Sequence, residues 1–249
     1  TAQLTISGLG DMHLDVTLAK LKSRFGVSVD LTEPRIAYRE TIRGHADVEG
    51  KHKKQSGGRG QYGHVKIRFF HGEEEGLTFS VSVVGGAVPK NFYPAVEKGL
   101  LDAMKEGVLA GYPMVQLAAD LYDGSYHDVD SDELSFKIAA SLAYKAGIAQ
   151  AKPVILEPVG TLRVTVPDDY VGDVMGDLNK RRGRVSGIEP CDGSQTVVAE
   201  VPQSEMLDYV IALRAMTQGR GSFSYDVTRY DEVPGNIAQK IIDAAKQNA

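Results

Sequence analysis

The sequence lacks several features that mark membrane and secreted proteins. A single cysteine, Cys191, stands among 249 residues, which excludes an intrachain disulfide and fits a reducing cytosol. No uncharged run approaches the ~20 residues that a membrane-spanning helix needs. The first ten residues have neither a basic start nor a long apolar run, so they do not resemble a signal peptide. These absences indicate a cytoplasmic protein.

A phosphate-binding motif is also missing. A GTPase needs a loop of the form GxxxxGK[ST], and the glycine-rich QSGGRGQYG at 55–63 has no Lys-Ser/Thr pair opening a helix. The segment GDVMGDLNKRRG superficially suggests a dinucleotide motif, but Gly172 and Gly176 fall inside an amphipathic pattern. Close packing of that helix on a sheet is the better interpretation of both glycines. We therefore predict no nucleotide site and no catalytic residue in this chain.

Metal ligands and nucleophiles at functional spacing are absent as well. The acids of YDGSYHDVDSDE at 122–133 do not follow the spacing of a calcium loop. Asp130 followed by Glu133 instead predicts a capping box that opens a helix. His127, in the same segment, has no Ser or Cys nucleophile pattern to serve. On the residues alone, His127 is a solvent-exposed loop histidine.

The overall composition is that of a soluble globular protein. Hydrophobic residues make up 42% of the chain and charged residues 24%, with a net charge of −5. This length fits one to three compact domains. The segment LTISG at 4–8 resembles the middle of a strand rather than its beginning, so we expect the chain to be a piece of a longer protein.

Against the negative net charge, residues 51–68 form a basic stretch. It reads KHKKQSGGRGQYGHVKIR, with six Lys or Arg residues and no acid. Its centre has four glycines and no aliphatic residue, whereas residues 62–69 alternate between polar and apolar as a strand does. We predict a hairpin whose glycine-rich tip concentrates positive charge, which suits an anionic polymer. A solvated, flexible hairpin is the alternative.

Periodicity divides the chain into three units. Residues 4–31 read as strand–helix–strand, with Leu14, Leu18, Leu21 and Phe25 as the buried stripe of a helix that Gly26 ends. A second, two-layer unit starts with one long strand from Ile36 to the basic tip. It ends with a helix that turns Leu134, Ile138 and Leu142 inward. From Leu162 the order is β-α-β-β-α-β, the split βαβ or ferredoxin-like motif, whose second helix turns Met206, Leu207, Val210, Ile211 and Leu213 inward.

Several motifs resemble bacterial elongation factor G, the translocation GTPase of the ribosome. SGLGDMHL is similar to its domain III, and HKKQSGGRGQYGHV, GGAVPKNFYPAVEKG, YDGSYHDVDSDELSFKIA and KPVILEP to its domain IV. YVGDVMGDLNKRRGRVSGIEP and MTQGRGSF are similar to its domain V. The resemblance implies an α/β fold class made of α+β two-layer sandwiches. It places a ferredoxin-like half-domain at 1–34, a domain like domain 2 of ribosomal protein S5 at 35–156, completed by a helix at 235–248, and a ferredoxin-like domain V at 157–233.

The same resemblance implies a function and a set of RNA-contacting residues. In the family, domain IV enters the decoding centre of the small subunit, and domain V meets large-subunit RNA. Carried over motif by motif, the residues of the domain IV tip are Lys53, Lys54, Gln55, Ser56, Gly57, Gly58, Arg59, Gln61, Gly85, Gly86, Ser125, Tyr126, His127 and Asp128. Those of domain V are Lys180, Arg181, Arg182, Arg184 and Arg220; for any one of them, a solvated helix end is an equal alternative.

The implied partners are ribosomal RNA of both subunits, transfer RNA and messenger RNA, with the protein a monomer away from membranes. GTP and magnesium would bind in an N-terminal domain that this sequence does not contain. Three alternatives stay open: a paralogue acting in ribosome recycling, a ribosomal protection protein, and a stand-alone RNA-binding module. Protection proteins lack the QSGGRGQYGHV and YDGSYHDVD patterns. Departures such as GLGDMHL and SYDVTRY favour a second elongation factor G–like copy.

Overall fold

The computed structural model describes residues 3–6, 8, 10–55, 57–58, 60–191 and 193–247. The chain divides into two compact units, which are treated one at a time. Unit 1 comprises the residues up to Ala37 together with Glu157–Asp231, and unit 2 comprises Tyr38–Leu156 and the residues from Glu232 on. Over the described ranges, no helix has both the length and the apolar character needed to cross a bilayer.

The helices and strands alternate along the chain, which confirms a mixed α/β fold. The helices are α1 (Asp11–Phe25), α2 (Tyr93–Ala103), α3 (Glu133–Gln150), α4 (Val171–Lys180), α5 (Tyr209–Thr217) and α6 (Gly235–Gln247). The strands are β1 (Arg39–Ile42), β2 (Ala46–Lys54), β3 (Gln61–His71), β4 (Leu77–Val81), β5 (Leu117–Ser125), β6 (Pro153–Val166), β7 (Arg184–Cys191), β8 (Ser194–Pro202) and β9 (Ser222–Glu232).

Unit 2 is built on a sheet of strand order β2-β3-β5-β4 with α2 and α3 packed together against it. Strand β3 runs antiparallel to both β2 and β5, while β4 runs parallel to β5. The predicted alternation of β3 is confirmed, since Val65, Ile67 and Phe69 are fully buried. Val96 and Leu100 of α2 join the same core, as the spacing of that helix predicts.

The predicted inward face of α3 is wrong. Leu134 and Leu142 are 55% and 43% exposed, whereas the buried residues are Ser135, Phe136, Ala139, Ala140, Ala143, Tyr144, Gly147 and Ile148. Glycines in the sheet explain the choice of face. A Cβ at Gly50 would stand 2.0 Å from the carbonyl oxygen of Ala139, and one at Gly63 would stand 2.4 Å from that of Ser135. The helix backbone lies so close to the strands at these two glycines that the residues at the contacts, Ser135, Ala139 and Ala143, are small.

The cap of α3 also differs from the prediction. Asp132, not Asp130, is the N-cap, and its carboxylate accepts a hydrogen bond from the Ser135 amide at 2.7 Å. The Asp130 carboxylate instead accepts from the amide of Gly60, outside the helix. Two acids with the same local chemistry thus have different partners, and spacing alone did not distinguish them.

The single long strand predicted from Ile36 to the basic tip is two strands, β1 and β2. Strand β1 pairs with residues 153–156 of β6, and β2 pairs with β3. The chain changes partner at Gly44, whose amide donates to the carbonyl of Ala151 at 2.9 Å. A Cβ at Gly44 would stand 3.1 Å from that carbonyl oxygen, so the close approach favours glycine.

Unit 1 has the predicted β-α-β-β-α-β order in residues 159–231. Strand β8 pairs antiparallel with β6 and with β7, and β9 pairs with β6. Its core contains Leu162 and Val164 of β6, Val174 and Leu178 of α4, and Val197 of β8. Leu213 of α5 joins them, but the predicted Leu207 and Ile211 are 41% and 57% exposed. The chain forms a 3-10 turn at Gln203–Met206 before α5 begins, so the residues there do not continue the spacing of the α-helix. In α5, Tyr209 and Thr217 therefore face inward instead.

The helix–sheet packing predicted for Gly172 and Gly176 is wrong. Both glycines lie on the exposed side of α4, and a Cβ at either position would have no heavy atom within 4 Å. The packing face of this helix is formed by Val174 and Leu178, as the spacing predicts.

The N-terminal segment forms its helix but not the two predicted strands. Helix α1 ends as expected at Gly26, which has a left-handed φ of 68°. Its predicted buried stripe is wrong, because Phe25 is 71% exposed and Leu14, Leu18 and Leu21 are only half-buried. Residues 4–6 and 27–31 have no strand pairing, and Val27, Val29 and Leu31 are each 47% exposed. A strand needs a hydrogen-bonded neighbour, and no described residue supplies one here. Ser7, part of the first prediction, lies outside the described residues.

Candidate nucleic-acid interface

The topology of unit 2 gathers three turns at one edge of its sheet. Because β2 and β5 run antiparallel to β3 and β4 runs parallel to β5, the ends of β2, β4 and β5 meet the start of β3. Loop 1 (55–60), the turn at Gly85–Gly86, and loop 2 (126–132) follow those strand ends. The three predicted tip segments therefore share one edge, although they are far apart in sequence.

The end of β2 presents two positive charges to solvent beside loop 1. The hairpin register pairs Lys54 with Gln61 and Lys53 with Tyr62. Gly57 and Gly58 have φ of 103° and 75°, a left-handed region that glycine adopts without a steric penalty. Lys53, Lys54 and Gln55 are exposed, and among the described residues neither lysine pairs with an acid. Ser56 and Arg59, both predicted contacts, lie outside the described residues.

Loop 2 folds around the side chain of His127. The His127 amide donates to Oγ of Ser131 at 2.9 Å, and the Ser131 amide donates back to the His127 carbonyl at 3.0 Å. Nδ1 of His127 accepts from the amides of Val129 and Asp130 at 3.4 and 3.3 Å. The ring is nevertheless 57% exposed, so it is oriented by its own loop while accessible to a partner.

Three hydrogen bonds join loop 2 to the start of β3. The Gly60 amide donates to Oδ1 of Asp130, and the Tyr62 amide donates to the carbonyl of Asp130, each at 2.9 Å. Oγ of Ser131 donates to the carbonyl of Tyr62, also at 2.9 Å. The two loops are thereby held as one surface.

Polar side chains on the strands support this surface from below. Oγ of Ser125 lies 2.8 Å from both the Tyr62 hydroxyl and Nδ1 of His64, and Nε2 of His64 faces Glu49 at 3.3 Å. Gln61 is held through its Oε1, which lies 2.9 Å from Nε2 of His52. These contacts fix the strand ends from which both loops leave.

One ion pair lies between this support and the rest of the sheet. Nζ of Lys66 donates to Oδ2 of Asp123 at 2.8 Å, and this hydrogen bond raises the pKa of Lys66 and lowers the pKa of Asp123. Both side chains are more than a third exposed, so the pair adds little stability. The positive charge of Lys66 is thus balanced by Asp123, whereas no acid among the described residues balances Lys53 or Lys54.

The third turn has the backbone that its glycines imply. Gly85 and Gly86 have φ of 69° and 72°, and a Cβ at either would meet no heavy atom within 4 Å. Val88 follows this turn and is fully buried. Its side chain packs directly on Gly124, so closely that a Cβ added at Gly124 would stand 2.6 Å from Cγ2 of Val88. This contact ties the turn to the end of β5, next to Ser125.

In unit 1, the structure gives two of the predicted domain V contacts partners of their own. The Arg181 side chain, 12% exposed, bonds Asp177 at 2.8 Å and Asp208 at 2.6 Å and lies over the ring of Tyr209. Arg182, 24% exposed, bonds Glu157 at 2.7 Å and Glu205 at 2.9 Å. Both guanidinium groups have structural roles within the unit, whatever else they contact.

The other three predicted domain V contacts are exposed. Lys180 ends α4, and Arg184 starts β7 with its side chain 79% exposed and 2.6 Å from Glu200. Arg220 lies over the ring of Tyr170, 4.8 Å from the ring centre, and bonds the Tyr170 hydroxyl. A polar partner could reach these three side chains without breaking a buried pair.

Sequence reasoning did not identify the residues that support the tip: Tyr62, His64, Asp130 and Ser131. The alternation of β3 placed Tyr62 and His64 on its polar face, which was the available signal. Nothing local indicated that Asp130 bonds Gly60, a residue 70 positions away.

Comparison with known families accounts for nearly the whole chain. Three family models match: Elongation Factor G, domain III over residues 1–33; Elongation factor G, domain IV over 34–152; and Elongation factor G C-terminus over 154–241. Their order along the chain agrees with the order of the motifs in the sequence.

A solved structure has the same fold. The structure is similar to a crystal structure of a Thermus thermophilus protein with a TM-score of 0.88 and 43% sequence identity. The match covers 97% of this chain and 36% of that protein, so this chain spans little more than a third of its relative. Taken together, the three matched models and this likeness show that the chain belongs to the elongation factor G family.

Proposed function

We propose that this chain is the ribosome-contacting part of a translation factor that moves transfer RNA and messenger RNA through the ribosome. The tip of unit 2 enters the decoding centre, and unit 1 contacts large-subunit RNA. GTP binding and hydrolysis, with magnesium, belong to a separate domain of the same cytoplasmic protein, which acts as a monomer. The chain itself transmits movement and catalyses nothing.

The observation that carries the proposal is the joined tip. A loop that pushes between RNA strands has to resist the force that the RNA exerts on it. The hydrogen bonds from Asp130 and Ser131 to residues 60 and 62 hold both loops together as one body. A flexible basic hairpin, the alternative left by the sequence, would not need them. The support by Ser125 and His64 extends the same rigidity into the sheet.

The exposed groups at the tip fit RNA. Lys53 and Lys54 have no acidic partner among the described residues and can approach phosphates, whose contacts supply affinity without sequence preference. Gln55 and His127 offer hydrogen bonds to 2′-hydroxyls and base edges. Glycines at 57 and 58 let the backbone approach a strand closely. In unit 1, Lys180, Arg184 and Arg220 are exposed cations that can approach large-subunit RNA.

A tethered cleavage probe tests the placement of the tip. Cys191 is the single cysteine of the 249-residue sequence, so once it is replaced by Ser and any cysteine elsewhere in the longer protein is also replaced, one new cysteine at Gln55 carries the probe. A hydroxyl-radical probe on that cysteine, in the protein that carries the GTPase domain, should cut small-subunit RNA at the decoding centre. A probe at Glu97, on the exposed side of α2, serves as the control. Equal cleavage patterns from both positions, or none from Gln55, would overturn the proposal.

A further inference from the structure

Asp130 is bonded to both tip loops. Its Oδ1 accepts from Gly60 and its carbonyl accepts from Tyr62, each at 2.9 Å, while its Oδ2 lies 3.5 Å from Nδ1 of His127. The Asp130 side chain is only 25% exposed, against 57% for His127. The carboxylate is thus shielded and already satisfied by the chain, so it acts on its own loops rather than on an anionic partner.

The contacts of Nδ1 decide which nitrogen of His127 carries a proton. In neutral imidazole, a nitrogen that accepts from backbone N–H groups has no proton, so the amides of Val129 and Asp130 place the proton on Nε2. In the charged ring both nitrogens are protonated, and Nδ1–H then faces the Asp130 carboxylate. In either state, Nε2 is a donor.

We propose that Asp130 is the positioning residue of the tip: it joins loop 1 to loop 2 and holds His127 with Nε2–H directed away from the loop, as a donor to an RNA oxygen. The inference rests on the proposed function and makes it more specific, since it assigns His127 the acceptor class of phosphate and 2′-hydroxyl oxygens.

Nitrogen NMR of the chain tests the geometry without a ribosome. In the neutral ring, Nδ1 of His127 should resonate as an unprotonated nitrogen and Nε2 as a protonated one, with His127→Ala identifying the signals among six histidines. Asp130→Ala should speed hydrogen exchange at the Val129 amide, which the loosened loop holds less firmly against Nδ1, and at the Gly60 amide, which loses its acceptor. Asp130→Asn keeps an acceptor for that amide and should preserve its protection. Asp102→Ala, the same change on α2, is the control and should alter neither signal.

Translocation kinetics test the positioning role. Asp130→Ala should slow translocation several-fold, and Asp130→Asn should recover most of the rate. Because Asp130 acts partly through His127, the double variant with His127→Ala should lose less than the sum of the two single losses in activation free energy. Unchanged exchange at the Gly60 and Val129 amides in Asp130→Ala would overturn the inference while leaving the proposed function intact. Additive losses in the double variant would overturn it too. If His127→Ala alone has no effect on translocation, the role of His127 in the proposed function fails instead.

Discussion

Arg182 donates two hydrogen bonds to the carboxylate of Glu157, at 2.7 Å from Nη1 and 2.9 Å from Nη2. Glu157 is 4% exposed at its side chain, so its charge is balanced almost wholly by this arginine. Ser204 and Glu205 bond the same guanidinium and connect β6 to the segment that precedes α5. Arg182, which the family resemblance marked as a candidate RNA contact, therefore holds two segments of unit 1 together.

Arg182→Ala should destabilise unit 1. The change leaves a buried carboxylate without its partner, which costs about 3 kcal/mol of unfolding free energy. Hydrogen exchange at the amides of β8 measures this cost in the unit concerned. Arg184→Ala is the matched control, because that side chain is 79% exposed and its pair with Glu200 should contribute little to stability. Equal losses from the two variants would contradict the assigned role.

Glycine substitutions should have opposite effects in the two units. Gly63→Ala places a Cβ 2.4 Å from the carbonyl oxygen of Ser135 and should destabilise unit 2 by about 2 kcal/mol, the usual cost of overpacking. Gly172→Ala meets open space on α4 and should stabilise unit 1 by about 1 kcal/mol, because alanine loses less backbone entropy in a helix. Urea unfolding followed by circular dichroism and hydrogen exchange reports both. A neutral Gly63→Ala would mean that α3 does not lie against that strand.

Acid should remove the contribution of Glu200 to the folding stability of unit 1. Hydrogen bonds from Arg229 and Arg184 lower its pKa from 4.5 to about 2. A carboxyl group with a lowered pKa in the folded state contributes stability that is present above pH 4.5 and is lost as the pH falls towards 2. The difference in stability between the parent and Glu200→Gln should therefore shrink across that window. A difference that stays constant from pH 6 down to about 2 would show that the two arginines do not act on this carboxylate.

Lys53 and Lys54, at the end of β2 beside loop 1, should account for salt dependence in ribosome binding. Replacing Lys53 and Lys54 by alanine removes two phosphate contacts, so the slope of log affinity against log salt should fall by roughly 2. The double variant Lys240→Ala and Lys246→Ala, with exposed cations on α6, controls for the loss of charge. Binding titrations at several salt concentrations give the slopes, and a slope shared by the parent and the Lys53/Lys54 variant would rule out phosphate contact at this loop.

Features specified by neighbouring residues were predictable from the sequence. The alternation of β3 gave its buried face, the spacing of Val174 and Leu178 gave that of α4, and Gly26 marked the end of α1. Each depends only on residues within a few positions, where periodicity and capping act.

Features specified by distant residues were not predictable. The inward face of α3 depends on Gly50 and Gly63, which lie on other elements and bring the helix backbone against the sheet. Asp130 and Asp132 are equivalent as local caps, and only the position of Gly60, 70 residues from Asp130, separates their roles. For the tip itself, the family motifs located the loops, but the bonds that join them required the fold.

The most direct test of the account is the rate of translocation by His127→Ala in the protein that carries the GTPase domain. Stopped-flow measurement should show translocation slowed several-fold while ribosome-stimulated GTP hydrolysis stays near the parental rate. His127 is an exposed loop residue in unit 2, so its loss should cost little stability and should not reach a nucleotide site in another domain. Translocation at the parental rate would contradict the account, and His127 would then be an exposed loop histidine without a role in moving RNA.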